Sequence, residues 1–349
     1  MTNGQPYRAS DTEPVLVTGA SGYLGGHVAR ALALRGDRVR TLQRRSSGLA
    51  GVLDVQGALD DQAARAAALD GAKAVVHLAA KVSFAGDPAE FVRVNVDGTR
   101  DLLADARAAG VSRFLFVSSP SVAHAGRAIM GDGAEPADPV HARGDYARTK
   151  AAAELLALAA DAPGFAVTAV RPHIVWGPGD PQLTERIQDR ARRGRVPLIG
   201  SGAALVDSTY IDDAVSGILA ALDRTPAVHG RAYVLTSGEP RPISELFAGI
   251  AAAAGAPAPT RSVPAPLARL AGALVEAAWR VRPGEDEPPM TRFLAEQLST
   301  AHWFDQRRTH DDLRWRPAVG VTRGLALLAQ DAGNHSGADG GGRLRDLAE

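Results

Sequence analysis

Tyr146 and Lys150 stand four residues apart in the run Asp145-Tyr146-Ala147-Arg148-Thr149-Lys150. On a helix that spacing puts both on one face. A free phenol loses its proton near pH ~10, and an ammonium beside it favours the phenolate and lowers that value. Such a pair can pass a proton to or from a substrate oxygen near neutral pH. Ser119 ends the apolar run Arg113-Phe114-Leu115-Phe116-Val117-Ser118-Ser119, and its hydroxyl can bond the same oxygen. With hydride arriving from the other side, three side chains make a carbonyl reduction site. Many helices carry this spacing by accident, so the surrounding elements must decide.

The deciding stretch is Pro14 to Gly26, PVLVTGASGYLGG. Val15-Leu16-Val17 predicts a buried parallel strand. Gly19, Gly22 and Gly25 then form a spaced turn, and an amphipathic pattern follows through Leu24, Val28, Ala31, Leu32 and Leu34. Gly19 suits a tight exit from the strand, Gly22 a close approach of pyrophosphate, and Gly25 close helix–strand packing. Tyr23 and Leu24 sit at the start of the helix, whose free N–H groups and positive end would face the phosphates. The second strand, Arg38 to Gln43, ends in Gln43-Arg44-Arg45, where NAD-specific proteins of this architecture place an acidic ribose ligand. Guanidinium groups pair with a 2′-phosphate, and no carboxylate stands there in the sequence. The sequence therefore favours NADP(H), with NAD(H) as the alternative.

Further along, Leu53–Leu59 is expected as a short third strand, 60–69 as a helix, and Ala74–Ala80 as a buried strand whose Ala79 and Ala80 let the backbone approach the cofactor. His77 alone reads as a structural histidine. Residues 87–109 carry a long helical pattern, and the Gly/Pro-rich segment from Gly126 to Gly144 reads as a lid or substrate loop. Ala166–Arg171 is a strand ending in Pro172. This alternation predicts an α/β fold, a Rossmann doubly wound parallel sheet with a smaller, mostly helical C-terminal substrate cap. The expected division is a disordered lead over 1–12, a dinucleotide-binding domain over 13–176 plus about 206–236, a cap over about 177–205 plus 237–332, and a disordered tail over 333–349. Val206–Leu222 and Arg231–Leu235 are read as a return to the sheet.

Composition narrows the function. Basic and acidic residues number 39 each, so no net charge steers the chain to nucleic acid. There is no cysteine, which excludes thiol chemistry and fits a reducing compartment. The nine histidines form no H-x-x-x-H pattern, so no metal is expected. Met1–Thr12 is polar and no run is long enough to span a membrane, so a cytoplasmic protein is expected.

With these pieces in order, the chain resembles the extended short-chain dehydrogenase/reductases, the superfamily of sugar-nucleotide epimerases and 3β-hydroxysteroid dehydrogenases. The resemblance rests on TGASGYLG (18–25), HLAA (77–80), NVDGT (95–99), SSPSV (118–122), YARTK (146–150), RPHIVWGPGD (171–180) and VDSTYIDDA (206–214). It implies that Ser119, Tyr146 and Lys150 are the catalytic set, that Lys150 also binds nicotinamide ribose, and that Pro172 to Ile174 lie against the nicotinamide end. Two departures stand out: Gln43 replaces the acidic ribose ligand, and Ala58, followed by Leu59, occupies the place of an aspartate that contacts adenine in many members.

A narrower resemblance comes from LTERIQDRARRGRVPLIGSG (183–202), VDSTYIDDA (206–214) and MTRFLAEQLSTAHWFD (290–305). These stretches are similar to the 2-alkyl-3-oxoalkanoate reductases of bacterial long-chain olefin biosynthesis. That implies NADPH-dependent reduction of a two-tailed, lipid-like keto acid, with other olefin-pathway enzymes as partners. Ser121, His124, Trp176 and Gln182 are the candidate substrate contacts. Leu267, Leu270, Leu274, Val275, Ala278 and Trp279 have helical spacing; they could line an apolar pocket, pack the cap, or sit peripherally at a membrane with Arg269 and Arg280 at the border. The alternatives are a 3β-hydroxysteroid or sterol-4α-carboxylate dehydrogenase, a sugar-nucleotide epimerase or dehydratase using Arg186, Arg190, Arg192 and Arg193, and a cofactor-sensing regulator. The last could dispense with Tyr146 and Lys150, which are both present. Relatives form homodimers through helices matching 87–109 and 145–160; monomeric surface is the other reading.

Overall fold

An apolar run without alternation belongs in a sheet covered on both faces, and Val15–Thr18 (β1) is buried along its whole length. The computed structural model describes residues 14–83, 86–281 and 291–340; the lead expected over 1–12 lies outside them. From β1 the chain passes through α1 (Tyr23–Arg35), β2 (Val39–Gln43), β3 (Val52–Gln56), α2 (Gln62–Leu69) and β4 (Ala74–His77). A π-helix over Val92–Asp97 then runs into α3 (Gly98–Ala108), followed by β5 (Arg113–Val117), α4 (Gly144–Ala159) and β6 (Ala166–Pro172). After α5 (Thr184–Arg192) come α6 (Ile211–Val228) and β7 (Arg231–Leu235).

The seven strands pair in parallel in the order β3-β2-β1-β4-β5-β6-β7. The chain winds outward from β1 on one side and resumes from β4 on the other. The crevice beyond the carboxyl ends of β1 and β4 is thus the point where the order reverses, the place such sheets bind ligands. One face of the sheet is covered by Val28 and Leu32 of α1 with Ile218 and Leu222 of α6. The other is covered by Leu102 and Ala106 of α3 with Ala153 and Ala157 of α4, against Leu16, Phe114 and Phe116.

The remaining helices, α7 (Ile243–Ala253), α8 (Ala265–Val281), α9 (Arg292–Gln297), α10 (Arg307–Leu313) and α11 (Gly320–Gly340), follow the sheet in sequence. A small sheet in the order Arg241–Pro242, Leu205–Val206, His302–Phe304, Ile129–Asp132 ties the 126–144 segment to this region.

Several expectations need correcting. The third strand stops at Gln56, because Asp61 caps α2 by accepting the Ala64 amide at 3.0 Å. The 87–109 pattern is helical as expected, with a π-helical section over Val92–Asp97 in its middle. Val206–Leu222 does not return to the main sheet: it holds the end of one short strand and the whole of another, Thr209–Tyr210, which pair elsewhere, then the first three turns of α6. The 126–144 segment, read as a lid or substrate loop, contains a strand paired with His302–Phe304. Residues 333–340, expected as tail, continue α11, and 341–349 lie outside the described residues.

Candidate active site

The turn after β1 is built so closely that side chains cannot fit. Gly19 has φ +77°, and a Cβ there would lie 2.8 Å from the Ala79 amide. A Cβ on Gly25 would come within 2.2 Å of the Gly19 carbonyl oxygen. Both clashes are with backbone, so neither can be relieved by a rotamer change. Gly22 caps α1 without a side-chain hydrogen bond, and Tyr23 and Leu24 form the start of its first turn. Thr18 accepts the Ala79 amide at 3.1 Å and bonds His77 Nδ1 at 2.7 Å, which brings Ala79-Ala80 beside the turn. His77 is buried between Thr18 and Thr99, and burial pushes its pKa down to about 3, as a structural histidine requires. The Tyr23 hydroxyl is buried and unpaired, and burial raises its pKa. A cradle with no side chain at Gly22 and a free helix N-terminus fits a dinucleotide pyrophosphate.

At the end of β2, Gln43 is buried while Arg44 and Arg45 are exposed. The run Gln43-Arg44-Arg45 holds no carboxylate of its own; the sheet register supplies one by pairing Thr41 with Asp54 of β3. Asp54 accepts from Thr41 Oγ1 (2.6 Å), Gln43 Nε2 (2.9 Å), Ser46 Oγ (2.6 Å), and Ser47 N and Oγ (2.8 and 2.7 Å). Those bonds hold its carboxyl well below the usual range against the effect of burial. Its oxygens are thus committed to β2 and the Ser46-Ser47 turn.

Across the crevice, β5 and α4 bring the three expected catalytic residues together. Ser119 caps a 3-10 turn over Pro120–Ala123, and its hydroxyl accepts from Ser121 Oγ at 3.0 Å. Burial pushes the Tyr146 phenol up to about 12, with a hydrogen bond to Ser119 opposing. Lys150 Nζ donates to the Val117 carbonyl at 2.7 Å and lies 4.0 Å from the centre of the Phe116 ring. Burial pushes this lysine down to about 7, opposed by the Glu154 carboxylate one turn on. Glu154 is itself held by Arg171 at 2.9 Å, both fully buried. The expectation of a lysine-lowered phenol is therefore corrected: in the protein alone, burial dominates both groups and moves them toward their neutral forms.

Asn95, in the sequence only one letter of a motif, has a structural task. It sits in the π-helix, takes the Lys81 amide at 2.7 Å and donates to Thr149 Oγ1 at 3.0 Å. It thereby ties the segment after Ala80 to the residue preceding Lys150. Its place inside the helical pattern, between Val94 and Val96, is the signal that could have found it.

The end of β6 closes the site. Pro172 is buried, and Ile174 holds φ +42°, a strained value for a β-branched residue that persists only when its surroundings fix it. Of the expected substrate contacts, Ser121 and His124 lie on the turn that carries Ser119. Trp176 is fully buried, and its indole donates to Ser208 at 3.0 Å, so its contacts are those of the core. Gln182 is exposed, and its backbone amide donates to the Asp180 carboxylate at 3.0 Å. Leu267, Leu270 and Leu274 of α8 face outward, 58%, 59% and 65% exposed, so they line no pocket within the described residues. A surface cleft at Ser112, Gly164 and His229 opens at the opposite end of the strands and holds none of these groups.

Sequence reasoning missed a cluster contributed from residues 207–302. The His302 ring meets His124 at 4.7 Å and His173 at 6.1 Å between centroids. His173 Nδ1 bonds the Asp207 carbonyl at 2.5 Å, and Glu296 lies near His124. Among the described residues no group of three or more such side chains could hold a metal ion, and no helix is long and apolar enough to cross a membrane.

Comparison with known proteins agrees with this geometry. The profile of the NAD dependent epimerase/dehydratase family matches residues 15–236. A 2-alkyl-3-oxoalkanoate reductase of Stenotrophomonas maltophilia is 39% identical over 322 residues, 90% of this chain and 98% of that protein. One from Shewanella oneidensis is 34% identical, covering 92% and 86%. A 3 beta-hydroxysteroid dehydrogenase/Delta 5-->4-isomerase of Mycobacterium tuberculosis is 31% identical, covering 89% and 88%. Among solved structures, a short-chain dehydrogenase/reductase superfamily protein from Agrobacterium tumefaciens with bound NAD superposes with a TM-score of 0.71 at 25% identity, covering 93% of this chain and 99% of that one.

Proposed function

This chain belongs to the NAD dependent epimerase/dehydratase family and is an NAD(P)-dependent oxidoreductase, and from that premise we propose that it reduces the 3-keto group of a 2-alkyl-3-oxoalkanoate to a 2-alkyl-3-hydroxyalkanoate with NADPH. The observation that carries the reading is the extent of the likeness to the named reductases. An aligned stretch of 322 residues cannot be contained in the sheet-forming part and must run through the region after β7, which can choose substrate.

Gly19, Gly22, Tyr23, Leu24 and Gly25 hold the pyrophosphate, Ala79 and Ala80 let it approach, and Pro172 and Ile174 back the nicotinamide end. The bound cofactor supplies hydride to the ketone carbon. The protein's own residues manage the oxygen. Ser119 and Tyr146 donate hydrogen bonds to it, Tyr146 releases its proton as the oxygen gains charge, and Lys150 steadies the phenolate and the cofactor ribose. Ser121 fixes the Ser119 hydroxyl by occupying one of its lone pairs.

Purified protein should oxidise NADPH on addition of a 2-alkyl-3-oxo acid. Arg44 and Arg45 supply the preference by facing the 2′-phosphate, with Asp54 turned away into its own hydroxyls. Replacing both by serine should raise KM for NADPH by roughly 10- to 100-fold and change KM for NADH little. Equal losses for both cofactors would remove the arginines from this role. A second reading, oxidation of a 3β-hydroxysteroid or a sterol carboxylate with NAD, is favoured by the steroid dehydrogenase among the relatives; turnover of that substrate with none of the keto acid would select it. The same proposal extends to a cytoplasmic homodimer working beside the enzyme that consumes the hydroxy acid.

A further inference from the structure

We propose that His124 is the specificity-determining residue that receives the carboxylate of the substrate, bridging it to Glu296. The inference rests on the reductase reading and names what that site selects.

Placement is the first reason. The turn over Pro120–Ala123 follows Ser119 directly, and His124 donates its amide to the Ser121 carbonyl at 3.1 Å. With three residues per turn, His124 stands one turn on from Ser121, whose hydroxyl contacts that of Ser119 at 3.0 Å. A 3-oxo acid bears its carboxyl carbon two bonds from the ketone carbon. A ketone oxygen held at Ser119 and Tyr146 leaves that carboxylate to be met by the next group along the turn.

The second reason is an imidazole without partners. His124 is 1% exposed, and neither ring nitrogen completes a hydrogen bond within the described residues, although the Arg127 backbone lies close. Leaving buried polar atoms unpaired costs about 1–3 kcal/mol each, which a structural histidine such as His77 avoids by bonding on both sides. Among the described residues, the groups facing the ring are few. Phe293 meets it edge-on at 6.3 Å and His302 at 4.7 Å. His302 bonds Thr300 through Nε2 and has Nδ1 unpaired; His173 beyond it is held by Asp207. Glu296 takes Arg292 Nε on one oxygen at 3.0 Å, while its other oxygen has no hydrogen bond and only Arg143, 3.8 Å away.

An imidazole between an unpaired carboxylate oxygen and an arriving carboxylate can serve both by taking a second proton, since the cation has two N–H donors. In the free protein, burial and Arg143 hold His124 below its usual pKa while Glu296 pulls the other way. The substrate anion adds a second negative charge and tips the balance toward the cation. Binding of the keto acid should therefore draw a proton from solvent. An imidazolium also keeps the carboxylate ionised, away from the neutral form in which a 3-oxo acid passes its carboxyl proton to the ketone and loses carbon dioxide.

The test compares a 2-alkyl-3-oxoalkanoate with its methyl ester, both with NADPH, in wild type and His124→Gln. The ratio of kcat/KM for acid over ester should fall by roughly 30-fold or more in the variant. Titration calorimetry of the acid into the protein with oxidised NADP, in two buffers of different ionisation enthalpy, should show proton uptake in wild type and none in the variant. His124→Asn serves if the glutamine variant does not accumulate. An unchanged ratio, or absence of proton uptake in wild type, overturns the role of His124. Turnover of neither acid nor ester by wild type is a different result, and it overturns the reductase reading itself.

Discussion

Tyr146→Phe should lower kcat for ketone reduction by about 10³- to 10⁴-fold, the upper part of what positioned proton transfer contributes, and leave the fold and the dissociation constant for NADPH nearly unchanged. The variant removes one oxygen atom. It keeps the ring against its neighbours on α4 and leaves the cradle at Gly19–Gly25 untouched. What it removes is the phenol bonded to Ser119. The loss should appear in kcat more than in KM, because the bond to the ketone oxygen strengthens as that oxygen becomes an alkoxide.

The same residue sets a pH dependence. The phenol is pushed up to about 12 by burial, so at neutral pH it carries its proton. That is the form needed for reduction, and titration of the phenol leaves the reduction rate level from about pH 6 to 9; a fall above about pH 7 in that range reports the Lys150 proton, which burial loosens to about 7 in the protein alone. Oxidation of the hydroxy acid needs the phenolate, so below that point its rate should climb with pH, up to about tenfold per unit where the unionised form dominates. An oxidation rate that does not climb from about pH 6 to 7 would mean that the proton passes to a group elsewhere. A phenylalanine variant that keeps more than about a tenth of the activity would likewise take the proton transfer away from Tyr146.

What could be read beforehand was local. The glycine turn, the strands β1, β4, β5 and β6, and the Tyr146–Lys150 pair each depend on residues within one or two turns of one another. Their geometry follows from spacing. The failures share the opposite property. Asp54 reaches Thr41 and Gln43 only through the register of β2 with β3, and nothing in the run Gln43-Arg44-Arg45 announces it. Trp176 is taken into the core because Ser208, 32 residues later, satisfies its indole. The surroundings of His124 come from Glu296 and His302, far along the chain, so a lone histidine in the sequence carried no sign of them. The pKa expectation failed for a physical reason of the same kind: spacing tells that an ammonium is near a phenol, but not that both are out of water. Leu267, Leu270 and Leu274 were legible as one helix face, yet periodicity cannot say whether that face turns inward.

Lys150→Met should abolish most activity and, at pH 6, raise the melting temperature of the cofactor-free protein by roughly 5 °C. Lys150 is fully buried, and its pKa falls from 10.5 in the unfolded chain to about 7 in the fold. Below about pH 7 both states hold the proton, so the fold carries the whole cost of an ammonium out of water. Between about pH 7 and 10.5 the unfolded chain binds more protons than the folded one, so the stability of the wild type rises with pH through that window. The shift corresponds to a ceiling on the order of 5 kcal/mol, already net of the help from Glu154. Methionine removes that cost, fills the space with a flexible apolar chain, and leaves the Val117 carbonyl without its partner, a loss of about 1–3 kcal/mol. The gain over wild type should therefore be largest at pH 6, shrink as pH rises, and vanish or reverse near pH 10, where the lysine is already neutral in the fold. Added NADPH should work against the trend by stabilising wild type more than the variant, since binding to the folded state alone adds to its stability. Thermal melts across this pH range decide the matter. A difference in melting temperature that does not change with pH would show that Lys150 is charged and well compensated in the fold, and that the reaction's cation is permanent rather than held ready by its surroundings.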